Sequence, residues 1–228
     1  MRVDILSLFP AYFSGPFSQS LIKRAIANGL LEIVLHDIRD HASGRHSQVD
    51  DRPYGGGPGM VLMPEPVSKA INAADQACKA TAKKIYLSPQ GSLLTAEKCQ
   101  QLACEEQLIL LCGHYEGIDQ RVIDSEIDEE ISIGDYVLSN GCPAAIVLVD
   151  AMARFIEGMI GNQEATEQDS FSPRVEGIFD WPHYTRPCNF EGMDVPEVLR
   201  SGHHEEIQKW RMQEARKKTQ KVRPDLLS

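Results

Sequence analysis

Short apolar runs rich in valine, isoleucine and leucine recur along the chain, and the segments between them have helical spacing. The runs cover residues 3–9, 31–38, 84–88 and 107–112. A strand that is covered by helices on both faces of a sheet is apolar throughout, because neither face meets water. The alternation therefore predicts an α/β fold with a largely parallel sheet.

The segments between the runs carry helix signals. Thr95 is placed to cap the amino end of a helix that starts with the next residue. Another helix is predicted to run from near Pro143 to Glu157 and to end at Gly158. Arg154 would lie on the apolar face of that helix, where a guanidinium is costly unless it is paired with an anion.

The composition changes to polar residues at 161–172, and this change predicts a boundary. We expect an α/β domain at 1–160, an interdomain linker at 161–172 and a small, mostly helical domain at 173–228. An amphipathic helical pattern over residues 203–220 supports the helical character of the last part.

The balance of charge bears on nucleic-acid binding. The chain has 23 Lys and Arg against 33 Asp and Glu, a formal net charge of −10. This charge opposes non-specific binding to a polyanion by the molecule as a whole, so a nucleic-acid partner needs a local basic patch. The C-terminal helix supplies one, and a solvated helix face is the alternative. Its cations include Lys209, Arg211, Arg216, Lys217 and Lys218.

Three observations concern the compartment and metal binding. The six cysteines form no C-x-x-C pair and the first residues lack the pattern of a signal peptide, so free thiols in a reducing cytoplasm are expected. Charged residues interrupt the longest apolar stretch, 143–160, so we expect no membrane span. The histidines, including His41 and His46, have no spacing that specifies a metal, so no metal site is assigned.

Three segments that contain glycine, proline or serine lie at or directly after apolar runs: 86–91, 112–119 and 131–141. Open α/β sheets bind ligands at such strand ends, so these loops are candidates for one pocket. Their composition suits an adenine-like or thioether-containing ligand. The glycine-rich segment 50–60 lacks the Lys-Ser/Thr ending of a P-loop, which favours a mobile active-site loop over a phosphate cradle, with a structural turn left open.

Several long strings occur together in chain order: VDILSLFP, DDRPYGGGPGM, YLSPQG, CGHYEGIDQRV, SIGDYVLSNG, DAMARFIEG, DSF, PHYTRP and VPEVLRSGHHEEIQKWR. In this combination the chain resembles the bacterial tRNA (guanine-N1)-methyltransferase family, the TrmD type of the SPOUT class. The resemblance implies a deep trefoil knot at the C-terminal side of the sheet. It also implies S-adenosylmethionine as methyl donor, with Mg²⁺ as a possible further cofactor. A homodimer is implied, whose active site lies at the subunit interface.

The resemblance implies a set of residues that bind S-adenosylmethionine in the three strand-end loops. They are Tyr86, Leu87, Ser88, Pro89, Gly113, Tyr115, Glu116, Gly117, Ile133, Gly134, Asp135, Tyr136, Val137, Leu138, Asn140 and Gly141.

The implied reaction is methylation of N1 of guanine 37 in tRNA, next to the anticodon. Asp169, in the DSF string, matches the family's general base, and Arg154 matches its catalytic arginine. Guanine N1 carries a proton at neutral pH, which a carboxylate has to remove. Charge then develops toward O6, where a guanidinium stabilises it. Without the resemblance, an ion pair for Arg154 and helix capping or solvation for Asp169 are the commoner roles.

Three positions depart from the family pattern. Asn140 stands at the first glycine of a usual Gly-Gly pair, Pro143 lies one place early, and His114 stands where arginine is common. Two other functions stay open from the sequence: a SPOUT methyltransferase that acts on another RNA position, and a non-catalytic RNA-binding module.

Overall fold

The computed structural model of the chain describes residues 1–43, 47–78, 80–160 and 167–227. The described residues fall into two compact units, one within residues 1–160 and the other within 161–228. His46 and residues 161–166 of the predicted linker lie outside the described residues. In the described part of the chain, no helix has both the length and the apolar character needed to cross a membrane.

The first unit holds a parallel sheet with the strand order β2-β1-β6-β5-β7. Its five strands confirm the predicted α/β fold. A separate pair, β3 and β4, is antiparallel. The elements of this unit are β1 (Arg2–Ser7), α1 (Ser20–Ala27), β2 (Glu32–Asp37), β3 (Asp50–Asp51), β4 (Val61–Leu62), α2 (Pro64–Gln76), β5 (Lys83–Leu93), α3 (Ala96–Leu102), β6 (Gln107–Cys112), α4 (Gln120–Glu126), β7 (Glu129–Ser132) and α5 (Cys142–Ala153).

Both faces of the sheet are buried. Ile5 and Leu110 belong to one hydrophobic cluster. Their chain neighbours Leu6 and Ile109 belong to the other. Successive side chains of a strand point to opposite faces, so a sheet with two covered faces requires apolar residues at consecutive positions. This requirement explains the uninterrupted apolar runs in the sequence.

Strand β5 is interrupted where the sequence predicts a turn. Leu87 and Ser92 both pair with Ile131 of β7, so residues 88–91 leave the ladder and return to it. An excursion of this kind is a bulge, and bulges redirect side chains next to functional sites. The strand order places the carboxyl ends of β6, β5 and β7 side by side, and the bulge lies among them.

Two helix predictions have different outcomes. The side chain of Thr95 accepts a hydrogen bond from the Lys98 N–H at 3.2 Å, which confirms the predicted cap of α3. The predicted extent of α5 is wrong, because the helix ends at Ala153 and the chain continues through tighter turns. Phe155 N–H donates to Met152 C=O at 2.9 Å, a contact three residues back. Arg154 therefore lies at the C-cap and is exposed, not on the apolar face.

The second unit is built around its long helix α7 (His204–Val222). Other elements are a short 3-10 helix (Pro173–Val175), the hairpin of β8 (Asn189–Phe190) and β9 (Met193–Asp194), and α6 (Glu197–Arg200). Thr219 of α7 is buried and its Oγ1 accepts a hydrogen bond from Phe179 N–H at 3.1 Å. The Arg211 guanidinium lies 4.8 Å from the ring centre of Trp181, which is also buried.

A buried carboxylate of β1 is bonded to side chains of the two neighbouring strands, β2 and β6. Asp4 of β1 is fully buried and accepts two hydrogen bonds from Arg2, each of 2.8 Å. Its carboxylate is also bonded to His36 Nε2 at 2.7 Å and to Gln107 Nε2 at 2.8 Å. Burial raises the pKa of Asp4, but these hydrogen bonds outweigh it and hold the pKa at about 2.

Replacing this carboxylate is expected to destabilise the fold. Asp4→Ala leaves the groups of Arg2, His36 and Gln107 without their acceptor, and breaking a buried pair of this type costs about 3–5 kcal/mol. Because the pKa of Asp4 is lowered from 3.8 to about 2 by folding, its contribution is complete above its ordinary pKa and is lost as the pH falls toward 2.

Urea unfolding at neutral and acidic pH measures this effect. The difference in the free energy of unfolding between wild type and Asp4→Ala should be largest at neutral pH and should shrink below about pH 4. The exposed Asp40 supplies a matched control, Asp40→Ala, which should change stability by less than about 0.5 kcal/mol. Equal stability of Asp4→Ala and wild type at neutral pH would contradict this account.

Candidate active site

A cavity of about 210 Å³, partly open to solvent, lies where β5, β6 and β7 end. This volume is smaller than the range of about 300–1,000 Å³ that is typical of sites for drug-sized ligands, so a larger ligand would extend through the open side. The lining comes from the β5 bulge, the loop after β6, the segment after β7 and the start of α5. The lining residues are Tyr86, Leu87, Ser88, Pro89, Gly113, His114, Tyr115, Glu116, Gly117, Ile131, Ser132, Ile133, Gly134, Tyr136, Val137, Leu138, Ser139, Asn140, Gly141 and Ala144.

The structure brings the predicted cofactor-binding residues to this one cavity, with the exception of Asp135. Asp135 is exposed and is not among the lining residues. His114, Ile131, Ser132 and Ser139 also line the cavity, and all four lie in the three loops that the sequence predicted for one pocket. Ala144 lies outside those loops and was missed, and only its place in the first turn of α5 could have indicated it. That these residues bind a cofactor stays a prediction.

Tyr86 forms a buried part of the wall. A Cβ added to Gly113 would lie 2.9 Å from the Tyr86 Oη, so a glycine is required for this close approach. Burial and the negative charge of Glu130 raise the pKa of Tyr86 to about 12. The phenol is therefore protonated at neutral pH and can donate a hydrogen bond.

The segment that enters α5 is fastened to the end of β6. Gly141 N–H donates to Gly113 C=O at 2.8 Å, and a Cβ on Gly141 would lie 2.9 Å from the Cys112 Cα. The Asn140 side chain accepts a hydrogen bond from Cys142 N–H at 2.8 Å. Asn140, a departure from the family pattern, thus satisfies one of the unpaired N–H groups of the first helical turn.

His114, another departure, lies in an aromatic group beside the cavity. Its ring is 5.1 Å from that of Phe9 and 4.2 Å from that of Tyr115. His114 is also paired in antiparallel fashion with Asn140. The two departures are therefore neighbours, and an effect of either residue on the cavity is expected to depend on the other.

The glycine-rich segment 50–60 joins the loop after β6. Glu116 N–H donates to Met60 C=O at 3.0 Å, and Leu62 N–H donates to Gly117 C=O at the same distance. A Cβ on Gly59 would lie 2.4 Å from the Glu116 Oε1, so the backbone here passes directly against that carboxylate. This segment is tied to a wall of the cavity without lining it.

Asp169 lies in a turn of the second unit that neighbouring residues hold in place. Asp169 is half-buried. Two residues further on, Phe171 N–H donates to Ile178 C=O at 2.8 Å. Ser170 Oγ donates to Asp180 and accepts from the Asp180 N–H at 3.0 Å. Burial raises the pKa of Asp180, but hydrogen bonds from Ser170 and His183 outweigh it and lower that pKa. Residues 169–172 of the predicted linker are thus part of a folded turn.

The predicted RNA-binding cations of α7 have different surroundings. Lys209, Lys217 and Lys218 are exposed. Arg216 is also exposed and donates to Glu176 at 2.7 Å, while the Lys217 Nζ lies 3.5 Å from the Glu214 carboxylate. Arg211 is half-buried over Trp181, so it is the least available of the five cations for contact with a phosphate.

For metals, the residues described here contain no group of three His, Cys, Asp or Glu side chains that could hold an ion. All the cysteines are free thiols, as predicted, and three of them are buried: Cys99, Cys112 and Cys142.

A methyl group added at the β5 bulge should disrupt the wall of the cavity. A Cβ on Gly91 would lie 2.4 Å from the backbone of Glu130 and Ile131, which cannot move without disturbing β7. We expect Gly91→Ala to lower the free energy of unfolding in urea by about 1–3 kcal/mol, the usual cost of overpacking. Gly15→Ala is the control, because nothing lies within 4 Å of the added Cβ. Equal stabilities of the two variants would contradict the assigned contact.

Comparison with known proteins identifies the family. A family model described as tRNA (Guanine-1)-methyltransferase TrmD matches residues 1–228. A tRNA (guanine-N(1)-)-methyltransferase of Protochlamydia amoebophila is 63% identical over 228 residues, covering 100% of both chains. Proteins of the same name from Chlamydia pneumoniae and Chlamydia muridarum are 55% and 54% identical over 226 residues. These cover 99% of this chain, which spans 61% and 62% of their lengths. The chain belongs to the tRNA (guanine-N1)-methyltransferase family of the TrmD type.

Proposed function

We propose that this protein transfers a methyl group from S-adenosylmethionine to N1 of guanine 37 in tRNA, in the cytoplasm. Membership of a methyltransferase family implies this donor. The observation that carries the proposal is the single cavity at the ends of β5, β6 and β7. It gathers the three loops that the family resemblance assigns to the donor.

The lining of the cavity supports an adenosine bearing a thioether-like tail as the ligand. Apolar side chains such as Leu87, Ile133 and Leu138 line it, and its glycines expose backbone donors and acceptors. The crowded positions of Gly113 and Gly141 leave no room for side chains on the wall. When bound, S-adenosylmethionine supplies a methyl group activated by its positively charged sulfur.

We also propose that the chain is knotted at this site. The segment after β7 starts at the sheet edge next to β5, yet it reaches the end of β6 on the other side of β5, where Gly141 bonds to Gly113. It must therefore cross the carboxyl end of β5. Such a crossing supports the deep trefoil knot of the SPOUT class, an exception to the general rule that chains are un-knotted.

Asp169 is proposed as the general base. Its carboxylate takes the proton from guanine N1, whose electron pair is then available for methylation. The hydrogen bonds of Phe171 and Ser170 to the segment 178–180 support this role, because they fix the turn that carries Asp169. A base that is fixed in place loses less entropy when it meets the proton.

Arg154 is proposed to stabilise the negative charge that develops at guanine O6. Its position just after α5, exposed within a single chain, suits a residue that meets an incoming nucleotide. A guanidinium presents several donors in one plane and so orients the base as well as stabilising its charge.

We propose a homodimer, with each active site completed at the subunit interface. An apolar groove between α1 and α5 supports this proposal, since it is lined by Phe17, Ile22, Ile146, Val147 and Ala151. Val147 is 45% exposed in the single chain, although it lies within an otherwise apolar helix. A monomer mass in light scattering would contradict the dimer.

Methyl transfer to paired tRNA transcripts tests the proposed function. One transcript carries guanine at position 37 and the other adenine, and both are incubated with labelled S-adenosylmethionine. Label confined to N1 of guanine 37 is the expected result. Label at another position would instead support the SPOUT enzyme with a different target, and a lack of both binding and transfer would support an RNA-binding module.

Removing the proposed base should greatly slow methyl transfer without weakening the binding of S-adenosylmethionine. Asp169→Asn keeps the size of the side chain but cannot accept the N1 proton, so we expect the rate of methyl transfer to fall by about 10²–10⁴-fold. Single-turnover kinetics measures the rate and calorimetry measures the affinity for S-adenosylmethionine. Asp194→Asn, at an exposed position of the same unit, is the control. A rate equal to wild type would remove Asp169 from this role.

The exposed lysines of α7 should control the salt dependence of tRNA binding. Each lost phosphate contact reduces the slope of log affinity against log salt by about one, so Lys217→Ala with Lys218→Ala should reduce it by about two. Lys23→Ala with Arg24→Ala removes the same charge from the exposed side of α1 and serves as the control. A slope that the α7 pair leaves unchanged would exclude these lysines from the interface.

A further inference from the structure

Two cysteine thiols lie together next to the cavity, and the proposed reaction uses neither of them. Cys112 ends β6 and Cys142 begins α5, and the two residues are 2% and 1% exposed. His114 pairs in antiparallel fashion with Asn140 and Gly141 N–H donates to Gly113 C=O, and this register sets Cys112 opposite Cys142. Ser7, at the end of β1, brings its Oγ to 3.1 Å from the Cys142 Sγ. The ends of two strands and the start of one helix thus converge on a pair of sulfur atoms.

The two thiols differ in acidity. The hydrogen bond from Cys112 lowers the pKa of Cys142 to about 7, with help from Ser7 and the backbone N–H and against the effect of burial. The same contact and complete burial raise the pKa of Cys112 well above its ordinary value. Cys142 is therefore the thiol of the pair that ionises more readily and acts as the nucleophile.

The chain neighbours of these cysteines form part of the cavity wall. Gly113 follows Cys112, Gly141 precedes Cys142, and both glycines line the cavity. Their backbones are joined by the 2.8 Å hydrogen bond from Gly141 to Gly113. The Cβ that Gly141 lacks would lie 2.9 Å from the Cys112 Cα, so the two backbone segments are closely packed here. A change in the distance between the sulfur atoms must therefore move the wall.

We propose that Cys112 and Cys142 form an oxidation site at which a peroxide closes a disulfide that deforms the cavity and inhibits the enzyme. The inhibitory part of this inference rests on the proposed function of the cavity. Both cysteines adjoin residues that line the cavity, and the proposal has a small neutral peroxide reach the pair from that side.

The chemistry balances with one peroxide for each pair of thiols. The Cys142 sulfur attacks a peroxide oxygen, the O–O bond breaks, and the products from hydrogen peroxide are a sulfenic acid and one water. The Cys112 sulfur then attacks the Cys142 sulfur, the S–S bond forms, the S–O bond breaks, and a second water leaves. Two thiols lose two electrons and one hydrogen peroxide is reduced to two waters.

The consequence follows from disulfide geometry. The S–S bond is about 2.05 Å long and demands a dihedral angle near ±90°, so the sulfurs must approach and rotate from their hydrogen-bonded arrangement. The Cys142 thiolate also gives up its contact with Ser7. We expect the shift at Gly113 and Gly141 to reduce methyl transfer by roughly tenfold to a hundredfold, as for positioning groups displaced by about 1 Å.

Peroxide titration of the full chain, in parallel with two variants, tests this inference. Each protein is exposed to hydrogen peroxide, its remaining thiols are alkylated after denaturation, and linked peptides are identified by mass spectrometry. Calorimetry with S-adenosylmethionine and methyl-transfer assays follow on reduced, oxidised and re-reduced samples. Cys142→Ser removes the attacking thiol. Cys99→Ser is the matched control, because Cys99 is a buried thiol of the same core cluster, and burial raises its pKa.

We expect a peptide that links Cys112 to Cys142, a loss of methyl transfer in proportion to it, and recovery with dithiothreitol. After peroxide, Cys142→Ser should retain the methyl-transfer activity that it had before treatment. Cys99→Ser should lose activity to the same extent as wild type. Absence of the linked peptide, or its formation without loss of donor binding or turnover, would overturn the inference. Reduced protein that fails to bind S-adenosylmethionine would instead count against the proposed function, since the linked peptide is detected independently of activity.

Discussion

The return of the chain from β7 to the end of β6 is the constraint on which the cavity depends. The hydrogen bond between Gly141 and Gly113 is possible because neither residue has a side chain, and it closes one wall of the cavity. Asn140 satisfies the first turn of α5 at the same place. Backbone groups thus form much of this wall, and apolar side chains lie between them.

The sheet supplies the rigidity that this arrangement needs. Two buried clusters cover its faces, and the carboxylate of Asp4 ties β1 to β2 and β6. The cavity lies at the carboxyl ends of β5, β6 and β7, so its loops begin from strands that this packing holds in place.

The sequence allowed a prediction of the sheet because consecutive buried positions require consecutive apolar residues, and 107–112 matches β6 residue for residue. It did not show that 88–91 bulges from within β5, because a bulge depends on pairing with β7, which lies far along the chain. Arg154 was misplaced for a related reason. Residues 154–157 fit a helical pattern, but local turns with contacts three residues back end α5 at Ala153.

The candidate site was predicted in a different way. The strand-end pattern predicted that the loops 86–91, 112–119 and 131–141 form one pocket, and these loops contain every lining residue except Ala144. The family resemblance added the individual residues within them. Ala144 was missed because it carries no glycine or proline signal, and only the fold shows that it faces the cavity. Cys112 and Cys142 were expected to be free thiols, but their contact could not be read from positions thirty residues apart.

Hydrogen exchange with and without S-adenosylmethionine, followed by mass spectrometry, tests most directly the claim that one cavity at the strand ends binds the donor. Protection of the amides in 86–91, 113–117 and 133–141, with little change near β8 and β9, is the predicted result. Protection confined to the glycine-rich segment 50–60, or spread over segments remote from the cavity, would contradict it.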